Sequence, residues 1–312
     1  MERRRSTRLE RGDNPTANIS GIFNICKPAG LTSFDVVSRV RRISGERRVG
    51  HAGTLDPLAE GVLPICLGQA TRVVEYLSDA TKRYCAQVVL GSTTDTYDAE
   101  GRITSQTGRA DYPKDEIRRA LDQFVGPIQQ IPPMYSALKK EGKRLYEIAR
   151  SGKEVERAPR HVEIFRIDLL AYDPPVLVVD VECSKGTYIR SLAHDLGRIL
   201  GGGAHLGHLV RTRSGPFEIQ DAVSLDLLAD AFAQGYWTEL VYPLDEPLLH
   251  WNAIILGEER AAALRNGRTV PMLAVPPDTR TCRAYTTEGK FLAVVRPELE
   301  TGTWRPEKVF AA

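Results

Sequence analysis

A single aspartate has the setting of a catalytic group. Asp56 lies in the run from Gly50 to Gly61 (GHAGTLDPLAEG), where Pro57 biases Asp56 away from the helical region and stiffens its loop. A carboxylate on rigid backbone can act as a nucleophile or as a base. The three glycines among these twelve residues also let a bulky ligand come close. Taken alone, however, an aspartate before a proline is usually a turn residue, so the run leaves both interpretations open.

Other reactive groups lack the spacing that their chemistry needs. Gly152-Lys153-Glu154 is not a phosphate-binding Walker loop, because no glycine lies five residues upstream of Gly152. His161-Val162-Glu163 has no Pro-Cys-x-x-Cys partner, which argues against a zinc deaminase. We interpret His205 and His208, which follow the glycine run 201–203, as residues of a flexible loop and assign no metal. The five cysteines contain no Cys-x-x-Cys pair, so we expect reduced thiols.

Hydrophobic spacing predicts the elements that must position these groups. Thr32 or Ser33 is expected to cap a helix that ends at Gly45. The predicted apolar face of this helix consists of Phe34, Val37, Val40 and Ile43. The run from Lys82 to Leu90 predicts a strand, with Tyr84 at its beginning.

A second strand and helix follow later in the chain. Val176 to Cys183 is rich in valine and predicts a strand. Ser184-Lys185-Gly186-Thr187 then leads into a predicted helix. Its apolar face is expected to carry Ile189, Leu192, Leu196 and Ile199. Strands and helices therefore interleave without a regular βαβ repeat, which predicts an α+β fold with a mostly antiparallel central sheet over residues 20–244.

The pattern of prolines, glycines and apolar residues changes from about Asp245. Pro243 and Pro247 precede a predicted short helix near Glu258 to Arg265, and Asn266-Gly267 and Glu288-Gly289 break short strands. We therefore predict a small β-rich domain over residues 245–312. Residues 1–19 lack apolar periodicity, and we expect them to form a disordered basic arm.

Composition is that of an ordinary globular protein, with 42% hydrophobic and 26% charged residues and a formal net charge of only +2. No apolar run approaches the roughly 20 residues that span a bilayer, and we expect a cytoplasmic protein without a membrane partner. Local charge carries more information than net charge. Basic clusters lie at Arg3, Arg4, Arg5, Arg8 and Arg11, at Arg39, Arg41, Arg42, Arg47 and Arg48, and at Lys139, Lys140, Lys143 and Arg144. Together they are weak support for a phosphate-binding face.

Several long stretches resemble, in order, the motifs of the bacterial tRNA pseudouridine-55 synthases, the TruB family. The Asp56 run resembles the catalytic motif of that family, and Cys26-Lys27-Pro28-Ala29-Gly30 resembles its Asn-Lys-Pro-x-Gly motif, although Cys26 precedes Lys27 and the common second lysine is absent. The other similar stretches are Arg83-Tyr84, Gly91 to Gly101 (GSTTDTYDAEG), Pro132 to Gly152 (PPMYSALKKEGKRLYEIARSG) and Ser184 to Leu192 (SKGTYIRSL).

The resemblance implies an enzyme that isomerises uridine 55 in the T-loop of tRNA to pseudouridine, without cofactor or metal. Asp56 would be the catalytic carboxylate, Arg190 would keep the Asp56 pKa low, and Tyr84 would stack on the flipped base. His51 would fill the vacated stack. The further RNA-binding or pocket residues that the resemblance implies are Lys27, Lys185, Tyr188 and Leu209. Leu264-Arg265-Asn266-Gly267 makes the 245–312 domain similar to a PUA domain, an RNA-binding module.

Three hypotheses remain open at this stage. The chain could be an RNA-modifying enzyme, an RNA-binding or tRNA-folding protein without turnover, or a guide-RNA-dependent synthase. A carboxylate opposes RNA phosphates, so Asp56 within a basic neighbourhood favours catalysis over binding alone, although both activities could coexist. The 132–152 stretch and the lack of a lysine-rich tail favour a synthase that works without a guide RNA. We expect a monomer that binds the T-arm of tRNA.

Overall fold

The computed structural model of the chain describes residues 19–136, 139–140, 143–144, 155–273 and 280–310. The predicted basic arm lies outside these residues except at Ile19, and so do the side chains of the predicted basic cluster at 139–144. The strands in these ranges are β1 (Gly21–Lys27), β2 (Val49–His51), β3 (Glu60–Leu67), β4 (Lys82–Leu90), β5 (Ser92–Thr94), β6 (Ile103–Gln106), β7 (Gly126–Gln130), β8 (Lys139–Lys140), β9 (Lys143–Arg144), β10 (Arg160–Asp173), β11 (Val176–Cys183), β12 (Ala204–Ser214), β13 (Phe217–Glu218), β14 (Val241–Tyr242), β15 (Ala253–Leu256), β16 (Val270–Pro271), β17 (Cys282–Thr286), β18 (Phe291–Glu298) and β19 (Thr303–Val309). The α-helices are α1 (Ser33–Ser44), α2 (Val74–Asp79), α3 (Lys114–Asp122), α4 (Ile189–Leu200), α5 (Leu225–Gln234) and α6 (Glu258–Arg265).

One large sheet forms the body of the fold. Its strand order is β14-β1-β3-β12-β4-β11-β10-β7, with β2 added to β3 and β13 added to β12. Strand pairs in this sheet are antiparallel except β3 with β12, which run parallel. The predicted α+β fold with a mostly antiparallel central sheet is therefore confirmed. The parallel pair brings β12 beside the strand that follows the Asp56 loop.

Helix α1 begins and ends as its sequence predicts. Thr32 caps it through a capping box with Asp35, and Gly45 ends it with a left-handed φ of 72°. Val36, Val37 and Val40 are buried, whereas Phe34 is 65% exposed, so its predicted place on the core face is wrong. Phe34 lies roughly a quarter of a turn away from the buried face.

Helix α4 follows β11 and packs along the large sheet. Ile189, Leu192 and Leu196 are buried as predicted, but Ile199 is exposed. The core-facing arc continues instead to Leu200, which lies about one turn beyond Leu196 and is buried. This face of α4 fixes the direction of the helix, and with it the position of Arg190 in its first turn.

The central strands differ from the sequence expectations at two places. The sequence did not predict β3, which spans Glu60–Leu67 between β1 and β12 and is almost wholly buried. A proline normally argues against a central strand, and here tertiary packing outweighs that preference. His205 and His208 lie in β12 rather than in a flexible loop. The Nε2 atom of His208 lies 2.9 Å from Glu60 Oε1.

A second sheet, ordered β15-β17-β18-β19-β16, contains the end of the described chain. Helix α6 spans Glu258–Arg265, which confirms the predicted short helix and the β-rich character of this part. Phe310 and Val294 share a buried cluster with Ile22 and Leu77 of the large-sheet part. The two sheets are thus joined by an apolar contact. In the ranges that the structure describes, no helix has the length and apolar character needed to cross a membrane.

Candidate active site

The loop that carries Asp56 connects β2 to β3 and is held from several sides. The Leu55 backbone N–H donates to Ser33 Oγ (2.8 Å), and the Ser33 hydroxyl donates back to the Leu55 carbonyl (3.1 Å). The Gly30 N–H donates to the Pro57 carbonyl (2.8 Å). Each residue flanking Asp56 is therefore tied to the segment that leads into α1 or to α1 itself. Such support preorganises a functional side chain.

Arg211, on β12, also supports the loop that carries Asp56. This side chain is 1% exposed; its Nε donates to the Val62 carbonyl (2.6 Å) and its Nη2 donates to the Gly53 carbonyl (3.1 Å). Gly61 permits the close approach, because its φ is +97° and an added Cβ would lie 2.3 Å from the Arg211 carbonyl oxygen. The sequence did not predict a role for Arg211. It lies 155 residues after Asp56 (positions 211 and 56), and no local pattern marks an arginine as buried.

Lys27 supports the loop rather than contacting RNA. Its side chain is fully buried, and its ammonium group donates to the carbonyls of Pro28 (2.9 Å), Leu31 (2.6 Å) and Pro57 (3.2 Å). Burial lowers the Lys27 pKa to about 8, against the influence of Asp56 and Glu60. The prediction that Lys27 binds RNA directly is therefore wrong. Because three carbonyls converge on it, the lysine ties the end of β1 to the loop that carries Asp56.

Arg190 joins two carboxylates. Its Nε lies 3.0 Å from Asp56 Oδ2, and its Nη1 donates to Asp98 Oδ2 (3.2 Å). Its Nη2 donates to the Tyr135 carbonyl (2.9 Å). Arg190 and Asp98 are buried, but 37% of the Asp56 side chain is exposed, so only Asp56 can meet a ligand. Asp98 lies within the matched stretch 91–101, yet its spacing gave no sign of this contact and sequence reasoning missed it.

The electrostatic balance at Asp56 differs from the sequence expectation. Burial raises the pKa of Asp56 and outweighs the lowering effect of Arg190, while Asp98 raises it further and Lys27 lowers it. Arg190 thus acts in the predicted direction, but the predicted low pKa is wrong because the net shift is upward. A carboxylate with a raised pKa and a fixed cation beside it is the kind of group found at catalytic sites.

A cavity of about 290 Å³ opens in front of Asp56. Arg190, Tyr84, Tyr188 and Leu209 all line it with Asp56, so the structure brings five of the predicted residues together. Tyr84 is 8% exposed and Leu209 is 5% exposed, which makes both of them walls rather than projecting groups. Tyr84 and Leu209 lie on neighbouring strands β4 and β12, on the same face of the sheet, so a flat ring could pack on them with one edge toward the carboxylate.

Tyr188 is held in place through its backbone. The Tyr188 N–H donates to Gln130 Oε1 (2.7 Å), and Gln130 Nε2 donates to the Tyr188 carbonyl (3.0 Å). Lys82, which sequence reasoning did not single out, also lines the cavity and is buried. Its ammonium group donates to the carbonyls of Ser78 and Ala80 (2.6 Å each). It therefore holds the turn after α2 beside the cavity.

The remaining predicted residues lie outside the cavity lining. His51 ends β2, five residues before Asp56, and is half-buried. Burial and Arg211 lower the His51 pKa, which favours the neutral ring. Lys185 is exposed and pairs with Asp79 (2.8 Å), next to Ser184 and Gly186 of the cavity lining. Within the described ranges, no group of three or more His, Cys, Asp or Glu side chains could hold a metal ion.

Comparison with known families and proteins shows which family this chain belongs to. A family model described as the N-terminal domain of the TruB family pseudouridylate synthases matches residues 41–189, and one described as the tRNA pseudouridylate synthase B C-terminal domain matches residues 190–249. The tRNA pseudouridine synthase B of Dehalococcoides mccartyi (strain ATCC BAA-2266) is 47% identical over 94% of this chain and 97% of its own length. That of Symbiobacterium thermophilum is 51% identical over 71% of this chain and 75% of its own length.

Solved structures of related proteins have the same fold. A chain of an H/ACA RNP bound to a substrate RNA containing 2′-deoxyuridine aligns with a TM-score of 0.72 and 27% identity, over 94% of this chain and 85% of that chain. A chain of a Cbf5-Nop10-Gar1 complex aligns with a TM-score of 0.72 and 30% identity, over 93% of this chain and 85% of that one.

Proposed function

This chain belongs to the TruB family of pseudouridylate synthases and is an enzyme that forms pseudouridine in tRNA; we propose that its target is uridine 55 of the T-loop and that Asp56 is the catalytic carboxylate. The observation that carries the proposal is the position of Asp56. It is the partly exposed acid of a buried arginine network, at the edge of a cavity with apolar and aromatic walls.

The reaction breaks the bond from ribose C1′ to uracil N1, turns the base and joins C1′ to C5; C5 loses its proton to solvent and N1 gains one, so the product is an isomer of the substrate. No electrons are gained or lost overall, so the site needs no redox step; it must position the base, stabilise charge, and supply a nucleophile or a base. An ionised Asp56 can attack either C1′ or C6, or remove a proton from the intermediate. Arg190 would hold the carboxylate in place and favour its ionised form.

The target uridine must leave the stacked T-loop to reach this cavity. Extruding a base costs a few kcal/mol, and stacking on an aromatic ring returns about 1–3 kcal/mol. Tyr84 would supply that ring, and Leu209 and Tyr188 would line the cavity beside it. His51, half-buried at the end of β2, would occupy the space that the base leaves in the RNA. Lys185, at the rim, would meet a phosphate.

The rest of the molecule would hold the tRNA. The exposed arginines of α1 and of the segment before β2 would contact the phosphate backbone, and the second sheet would act as a PUA-like RNA-binding domain over residues 245–312. The large-sheet part, residues 20–244, would be the catalytic domain. We propose that the enzyme works as a monomer without a guide RNA. One chain already contains the whole cavity and its acid and arginine groups, and its relatives over most of its length are named as tRNA enzymes.

The target can be tested with unmodified tRNA labelled with tritium at C5 of uridine. Pseudouridine formation releases the label, and we expect release equal to one uridine per tRNA. The matched control is a transcript in which only uridine 55 is replaced by cytidine, which should release no label. Equal release from both transcripts would show that another uridine is the target.

A further inference from the structure

The loop between β5 and β6 contains the one non-glycine residue with a positive φ in the described ranges. Tyr97 has a φ of 66°, a left-handed conformation that is unfavourable for a bulky side chain. Asp98, which holds Arg190, is the next residue. A strained residue beside a functional group persists only where the surrounding contacts enforce it.

An aromatic stack is one of the contacts that hold Tyr97. The Tyr97 ring lies on the ring of His194, with centroids 3.9 Å apart and planes 14° apart. His194 lies one helical turn after Arg190 on α4, so the two side chains are neighbours on the same face of the helix. The loop therefore contacts this face twice: Tyr97 lies on His194, and Asp98 binds Arg190.

The backbone of the same loop is anchored to β12 at the same point. The Leu206 N–H donates to the Tyr97 carbonyl (3.0 Å), and the Ala99 N–H donates to the Leu206 carbonyl (2.8 Å). The Asp98 Oδ1 accepts from the Thr96 hydroxyl (2.5 Å) and the Glu100 N–H (3.1 Å), which leaves Oδ2 for Arg190. These hydrogen bonds tie the loop to β12, while the Tyr97–His194 stack ties it to α4.

His194 has the properties of a stacking group rather than of a hydrogen-bonding one. Its ring is half-buried, and its Nδ1 is buried without a hydrogen-bond partner among the described residues. Burial lowers the His194 pKa, which favours the neutral ring that packs on a tyrosine. His194 thus packs the flat face of its ring on Tyr97, and its Nδ1 atom makes no hydrogen bond within the described residues.

We infer that the Tyr97–His194 stack, which we call the latch, positions Asp98 beside Arg190 and so holds the guanidinium next to Asp56. Tyr97 and His194 are positioning residues, because neither lines the cavity. The inference rests on the proposed catalytic role of Asp56. It adds two residues, outside the cavity, that set the geometry of the reacting carboxylate.

The test compares variants that remove the stack with variants that keep it. His194→Ala and Tyr97→Gly remove one ring, and the glycine also relieves the left-handed strain. His194→Phe and Tyr97→Phe keep two stacked rings. We expect kcat of the first pair to fall about 10- to 100-fold with little change in KM for tRNA, since small misplacement of a catalytic group has effects of this size. The second pair should retain kcat within about threefold.

Two controls separate the latch from general stability. Trp237→Ala removes one ring of the Phe232–Trp237 stack, whose rings are 5.3 Å apart at 4°, and should leave kcat unchanged. In an Asp98→Asn background, His194→Ala should add little further loss in single-turnover rate, because the latch acts through Asp98. Independent, multiplicative losses would overturn the inference, as would a wild-type kcat for His194→Ala. If wild-type enzyme itself released no label, the proposed function would have failed instead.

Discussion

At the scale of single residues, the ionisation of Asp56 is the central quantity. Burial and Asp98 raise its pKa above the ordinary value of 3.8, and Arg190 and Lys27 oppose them. The ionised fraction of Asp56 therefore falls as the pH is lowered through this raised pKa. Activity that depends on the carboxylate must fall in the same window, on the acid side of the rate profile.

Replacing Arg190 should move the acid limb of the pH–rate profile, the part in which activity falls as the pH is lowered. Arg190→Gln removes the cation 3.0 Å from Asp56, whose pKa that cation lowers, so we expect the acid limb of kcat/KM to shift to higher pH. Arg190→Lys keeps a positive charge and should shift it less, although it loses the forked contact with Asp98 and Tyr135. The measurement is tritium release across a pH series. An acid limb at the wild-type position in Arg190→Gln would contradict the electrostatic role.

Tyr84 should act through its ring. Tyr84→Phe keeps the cavity wall, while Tyr84→Leu loses about 1–3 kcal/mol of stacking on the flipped base. We expect kcat/KM to fall much further for Tyr84→Leu than for Tyr84→Phe. Leu209→Met changes another lining residue of the cavity at nearly constant volume and serves as the control for cavity shape. Equal losses for the two Tyr84 variants would remove the stacking role.

At the scale of elements, the loop of Asp56 depends on the ends of β1 and α1. Local signals predicted α1, β4, β11 and α4 well, because caps and hydrophobic periods act within one element. The sequence did not predict strand β3 because Pro64 argues against a central strand. The pairing of β3 with β1 and β12 joins distant segments and leaves no mark in the local sequence. Phe34 and Ile199 were misplaced because spacing alone does not define where the buried arc of a helix ends.

Lys27 gives the element scale its own prediction. Lys27→Met keeps an apolar stem but leaves the Leu31 and Pro28 carbonyls without this donor, so we expect a loss of about 1–3 kcal/mol in the free energy of unfolding and a lower kcat. Lys185→Met is the matched control: its ion pair with Asp79 is exposed and should contribute less than about 1 kcal/mol. Urea unfolding of both variants measures the difference. A Lys27→Met protein as stable as Lys185→Met would refute the supporting role of Lys27.

At the scale of the whole molecule, the site combines distant parts of the chain. The resemblance predicted Asp56, Arg190, Tyr84, Tyr188 and Leu209, and the structure brings them around one cavity. It gave no sign of Asp98 and Arg211, because their contacts with Arg190 and Gly53 cross 92 and 158 residues. Only the tertiary fold brings these loop, helix and strand positions together, so a buried charge network is not predictable from local spacing.

The basic face next to the site should contribute to tRNA affinity. Arg39 and Arg42 are exposed on α1, whose first residue, Ser33, holds the Asp56 loop. For Arg39→Ala/Arg42→Ala we expect weaker tRNA binding and a salt dependence of log Kd that is flatter by about 0.7–0.9 per lost phosphate contact. Arg118→Ala/Arg198→Ala removes the same charge from two exposed arginines on α3 and α4. Indistinguishable salt slopes for the two double variants would contradict a phosphate-binding role for α1.

The most direct test of the central claim uses Asp56→Asn, which keeps the shape of the side chain and removes its charge. Tritium release from C5-labelled tRNA and the Kd for the same tRNA are measured on the same preparation. We predict no detectable release, with a Kd within a few-fold of the wild-type value, because the walls of the cavity and the basic face remain intact. Continued release at a rate near that of the wild type would contradict the assignment of Asp56 as the catalytic carboxylate.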